Sequence, residues 1–228
     1  MERNYQITAP AYVHPHELHW RTAFHEAGHA AAIHIRNQQK QLPPVFFEIQ
    51  VKRPTPKEQD FFAKVIDGNL IQNLPIAVIE SISLLSDECQ HSSQRAYEAD
   101  VVNLLVGPLA EAKYVSIRDG EVFNLELINL NALRHYGGHS DLEKAQQYLE
   151  FFITSKLHRD NKLVELLTQA YQFVSNHKNW ACILNLAHFI LDSQQETISC
   201  DEAITIFDRC LSTNQPRWPG KPAFSELH

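Results

Sequence analysis

From His16 to Gln39 the chain has no proline and is rich in alanine, and this stretch carries the pentapeptide His25-Glu26-Ala27-Gly28-His29. Trp20, Ala23, Phe24, Ala27, Ala30 and Ala31 recur at helical spacing and predict one broad apolar face. Residues four apart on a helix project from the same side one turn apart, so His25 and His29 can reach one ion together. The surrounding sequence, AFHEAGHAAA, predicts that this helix is mostly buried. Imidazole and carboxylate groups inside a core need partners, and a metal ion supplies them.

Zinc suits such a pair, because it takes imidazole ligands in tetrahedral geometry and leaves one position open in catalytic sites. It also makes water nucleophilic near neutral pH by lowering its pKa to about 7. Glu26 directly follows the first histidine and is placed to accept the proton of that water. Gly28 costs about 1 kcal/mol inside a helix, which implies a close neighbour at its backbone. A third protein ligand is required, and Asp141, His135 and His139 all compete for the place. Asp141 has a plainer role as a first-turn acid favoured by the helix dipole. Glu111 reads either as a solvated face residue or as a carboxylate that orients a histidine ligand.

The rest of the chain punctuates clearly. Residues 1–15 read as an irregular arm, and Pro43 and Pro44 end the motif helix. Val45–Val51 reads as a strand, closed by Pro54 and Pro56, and Asp67-Gly68 as a hairpin turn between apolar segments. Residues 76–88 fit strand or helix. A helix follows over Ser93–Ile117, and Pro108 within it should kink it or start a new one. Residues 118–139 read as a long connection ending in Gly137-Gly138. Ser140 with Glu143, and Ser199 with Glu202, each spell a helix-opening box in which serine and glutamate satisfy free amides. Helices are expected from Ser140, over Asn161–Asn176, over Trp180–Asp192 and over Cys200–Leu211. A loose tail is expected over 215–228, behind a single domain over 1–214.

Composition narrows the function. The formal net charge is -7, with no cluster of Lys and Arg, so broad nucleic-acid binding is not expected. Apolar runs fall short of bilayer length, so no membrane span is expected, and MERNYQITAP does not read as a secretion signal. Cys89, Cys182, Cys200 and Cys210 are widely spaced and read as buried thiols of a cytoplasmic protein.

Several landmarks then converge. Ala23–Ala30, AFHEAGHA, resembles the zinc-binding helix of the peptidase domain in the FtsH family of ATP-dependent metalloproteases. Leu104–Ala112, LLVGPLAEA, is similar to that family's second core helix, and Gly138–Ala145, GHSDLEKA, to its Gly-x-Ser-Asn-Asp segment. Glu196–Phe207, ETISCDEAITIF, is similar to its closing segment. The resemblance implies His25, His29 and Asp141 as zinc ligands, Glu26 as general base and Glu111 as a carboxylate near the metal. It also implies hydrolysis of peptide bonds in polypeptide substrates, often in oligomers. The chain departs from that pattern at Pro108, at His139 and in the thirty positions between Glu111 and Asp141, about double the family's spacing. Only 24 residues precede His25, so a stand-alone peptidase-like chain without the ATPase domain and membrane anchor is expected.

The fold expected is mainly α within the α+β class: a helical zincin-like peptidase domain with a small β element and a C-terminal helical bundle. Two functions follow. In the first, the chain is a zinc metalloendopeptidase, with Val45–Val51 either pairing with the substrate as an added strand or serving as an ordinary sheet member with no ligand role. In the second, it is a weak or inactive peptidase-like zinc protein that acts as a partner or regulator in a larger assembly, including a homo-oligomer.

Overall fold

The computed structural model describes residues 15–53, 62–71 and 87–212. The protein is mainly helical, with a small three-stranded antiparallel sheet. The expectations for residues 1–14, for Pro54 and Pro56, for 76–86 and for the tail lie outside the described residues.

Helix α1 (Pro15–Ala31) is buried continuously from Arg21 to Ala31. A helix hidden on all sides must be central. It packs against α2 (Asp87–Asp119), α5 (His177–Asp192) and one strand of the sheet. Toward α2 the approach is set by glycine. A Cβ at Gly28 would lie 2.8 Å from the Ala110 Cβ and 3.0 Å from the Val106 carbonyl oxygen. The close neighbour implied by that glycine is therefore the backbone of α2. One turn earlier, Phe24 stacks on Tyr114 of α2 and on Trp180 of α5, at 4.5 and 5.4 Å between ring centres. Beyond Ala31 the chain widens into a π-helical turn over Ala32–Arg36, then one further α turn over Asn37–Gln39.

Strand β1 (Phe47–Lys52) alternates as its sequence predicts, with Phe47, Ile49 and Val51 buried between more exposed Glu48, Gln50 and Lys52. It lies in the middle of the sheet. On one side it pairs with β2 (Phe62–Asp67), Ile49 opposite Val65, and on the other with β3 (Thr197–Ser199), Ile49 opposite Ile198. This corrects the expectation that a substrate strand adds along Val45–Val51, because Glu48–Gln50 have neighbours on both sides. The hairpin is corrected too. Asp67 and Gly68 do adopt left-handed backbone, at φ 63 and 80°, but the partner of β2 is the preceding strand. After Gly68 the chain turns away, and the Leu70 and Ile71 amides donate to the Asp100 carboxylate at 2.9 Å each.

α2 runs through Pro108 as one helix and does not restart there. The connection after it contains two short helical turns, Leu130–Leu133 and Arg134–Tyr136, before α3 (His139–Phe152). Helices α4 (Lys156–Ser175), α5 and α6 (Cys200–Ser212) complete the C-terminal bundle. One apolar core joins residues from Ala23 in α1 to Phe207 in α6.

The two serine-glutamate boxes diverge. At α6 the box forms: the Glu202 amide donates to Ser199 Oγ at 3.3 Å, and the Ser199 amide donates to Glu202 Oε2 at 2.9 Å. At α3 it does not. The helix starts one residue earlier than expected, its N-cap is Gly138, and no side chain caps it. Glu143 pairs instead with His139 Nε2 at 3.1 Å.

Candidate metal centre

His25 and His29 project from α1 on one face, with ring centres 4.7 Å apart. Asp141 arrives from the first turn of α3. Its Oδ2 lies 3.1 Å from His25 Nε2 and 3.6 Å from His29 Nε2. One ligand atom from each of the three residues falls within 4.8 Å of the others, and all three residues are buried. Ligands about 2.0–2.1 Å from a tetrahedral zinc stand about 3.3 Å from each other, between the two separations observed here.

The tautomers fit the same reading. His29 Nδ1 donates to the Asn103 carbonyl at 2.8 Å. His25 Nδ1 faces Glu111 Oε2 and the Tyr136 carbonyl, both at 3.2 Å. Each ring thus has its proton fixed on Nδ1, which directs the Nε2 lone pair at the shared centre. His29 Nε2 is buried without a hydrogen-bond partner, a costly state for a polar atom unless a ligand takes it. The donor set and its geometry fit a divalent metal ion.

Electrostatics point the same way. Burial alone would lower the His25 pKa, but the Asp141 and Glu111 carboxylates outweigh it and raise it to about 9. Burial alone would raise the Asp141 carboxyl, but the facing imidazoles hold it well below the usual carboxylate range. The site therefore favours a positive charge between these carboxylates, which a metal ion would also supply.

Glu26 is fully buried. Its Oε2 accepts the Val65 amide of β2 at 2.7 Å, while Oε1 has no hydrogen-bond partner. The strand that flanks α1 therefore anchors one oxygen of this carboxylate and leaves the other unengaged.

The rival ligands stay outside. His139 faces Arg134 and Glu143, at 2.9 and 3.1 Å, and His135 is exposed. Glu111 takes the orienting role, held in turn by Arg21 Nε at 2.8 Å on its other oxygen. Arg21, Asn103, Tyr136 and Val65 were not foreseen as members of the site. Arg21 had a legible signal, since it stands one turn before His25 on the same helix face. The other three contribute backbone groups, which side-chain identity does not announce.

Glycines make room for these contacts. A Cβ at Gly107 would lie 2.3 Å from His29 Nε2. Gly137 takes a left-handed φ of 70°, and a Cβ at Gly138 would lie 2.8 Å from both the Leu133 carbonyl oxygen and the Pro108 Cβ. Pro108 and the residues just before Asp141 are thus built into the wall of the site. Compared with known proteins, the chain matches no family model and no curated sequence.

Proposed function

We propose that this chain is a zinc-dependent peptidase of the kind its HEAGH helix resembles, the FtsH-type peptidase domain. The observation that carries this reading is the convergence of His25, His29 and Asp141 beside a glutamate with one unpartnered oxygen. His25 and His29 would hold the ion through Nε2 and Asp141 through Oδ2. The ion supplies Lewis acidity that makes water nucleophilic at neutral pH. Glu26 Oε1 would accept a proton from the attacking water and return it to the leaving amine, and the Val65 amide keeps the carboxylate aimed. Arg21 and Glu111 keep the His25 ring in register.

The test is Glu26→Gln. Hydrolysis of an unstructured protein such as casein should fall by at least about 100-fold, within the range for loss of a general base, while zinc content stays at one ion per chain. One observation favours a second reading: His25, Glu26, His29 and Asp141 are all at most 1% exposed. A zinc that serves stability in a partner protein would be buried in this way. Wild-type protein that is fully zinc-loaded yet leaves casein and short peptides intact would decide for that alternative.

A further inference from the structure

Outside the metal centre, the C-terminal bundle brings two thiols together. α5 and α6 pack on each other, and the Cys182 sulfur on α5 lies 3.9 Å from the Phe207 carbonyl oxygen on α6. Three residues further along α5, the Asn185 side-chain amide points at the Cys210 sulfur, 3.6 Å away. Positions three apart share a helix face, so Cys182 with Asn185 and Phe207 with Cys210 form two facing pairs. The Cys210 thiol is a hydrogen-bonding neighbour of the Cys182 thiol. Cys182 is fully buried, whereas Cys210 is partly exposed.

We propose that Cys182 and Cys210 form a reversible disulfide under peroxide, with Cys210 as the sulfur oxidised first. Exposure admits the oxidant to Cys210, whereas the Cys182 sulfur is shut away from solvent. Burial pushes the Cys182 thiol up and keeps it protonated, which suits the resolving role. In the first step the Cys210 thiolate attacks one oxygen of hydrogen peroxide. The O–O bond breaks, hydroxide leaves, and Cys210 becomes a sulfenic acid. In the second step the Cys182 sulfur attacks the Cys210 sulfur, the S–O bond breaks, and the departing oxygen takes the Cys182 proton as water. Two thiols and one peroxide thus give one disulfide and two waters, and a dithiol reductant reverses the change.

The bond would tie α6 to α5. Phe207 of α6 stacks on His34 of the π-helical turn at 5.9 Å, and α5 packs along α1. The staple therefore braces the helix that carries His25 and His29 from behind.

The experiment treats the full chain with hydrogen peroxide at pH 8 and maps peptides without reduction. Free thiols should fall from four to two, with one peptide joining Cys182 to Cys210 and with Cys89 and Cys200 still alkylatable. The thermal midpoint should rise by several degrees and return on reduction. Cys210→Ser, at a partly exposed site that tolerates the change, should abolish the cross-link. A cross-link to any other cysteine, or full alkylation of both thiols after treatment of protein with native circular dichroism, would overturn the assignment.

Discussion

Helices α3 and α6 open with the same spelling, a serine followed three positions later by a glutamate, and with an aspartate in the first turn. At α6 the spelling folds as local chemistry dictates. Ser199 and Glu202 satisfy each other's amides, and the hydrogen bonds to Glu202 from Ser199 and Gln195 lower its pKa. At α3 the same letters give no side-chain cap, and the first turn turns Asp141 inward against two imidazoles. The difference lies in what surrounds each start. α6 begins at a strand end with Asp201 exposed, whereas α3 begins on Gly138, wedged against Pro108 and the Leu133 carbonyl. A capping rule yields where tertiary contacts need the first turn for something else.

Breaking the two aspartates separates a candidate ligand from a helix-dipole acid. If the proposed zinc site is right, Asp141→Ala removes one of its three ligands, and zinc affinity should fall by more than the roughly 10- to 100-fold that changes outside the ligand set cost. Metal analysis after dialysis against a weak chelator reads this directly. Asp201→Ala should leave metal content unchanged and cost only about 0.3–1 kcal/mol of stability. Equal zinc retention in both variants would remove Asp141 from the ligand set.

Much of this contrast was legible before folding, and the part that was not has a physical cause. The helix bearing His25 and His29, the strand around Ile49 and the C-terminal helices announce themselves by periodicity, because each buries one face or all faces of a regular element. The convergence of Asp141 on the histidines was legible only through resemblance, since more than a hundred residues separate them. The partner of β2 was misread because Asp67-Gly68 has hairpin chemistry whichever strand it follows. The central position of β1 could not be read at all, since β3 comes from Thr197–Ser199, far along the chain.

A proton on His25 gives the next effect. Burial opposes a charge on His25, yet the Asp141 and Glu111 carboxylates raise its pKa from the ordinary 6.5 to about 9. The unfolded chain has the lower value, so this contribution is fully present below pH 6.5 and is lost as pH rises through 9. Metal-free protein should therefore lose stability, of order 3 kcal/mol, across that window. Zinc-loaded protein should not, because the ion replaces the proton. Urea unfolding with and without zinc at pH 6 and pH 9 checks the sign, and matching slopes would contradict the shared role of proton and metal.

The wedge under α3 can be strained without touching a ligand. Gly138→Ala would place a methyl 2.8 Å from the Pro108 Cβ and from the Leu133 carbonyl oxygen. Overpacking of this kind costs about 1–3 kcal/mol. It should also weaken zinc binding, because the first turn of α3 must shift to admit the methyl and Asp141 moves with it. A stability loss with unchanged zinc affinity would mean that Asp141 is held by the histidines and not by the wedge.

The smallest effect is the sharpest comparison of the two helix starts. Ser199→Ala removes an oxygen that accepts the Glu202 amide at 3.3 Å and donates to Glu202 Oε2 at 2.7 Å. The loss should be about 1 kcal/mol, as for other N-cap serines. Ser140→Ala removes the same oxygen from a helix whose N-cap is Gly138, so no capping contribution is lost there and the cost should be smaller than at Ser199. Denaturant midpoints with unchanged m-values measure both. Should Ser140→Ala cost as much as Ser199→Ala, the serine would be capping α3 after all, and the inward turn of Asp141 would have to coexist with the box instead of replacing it.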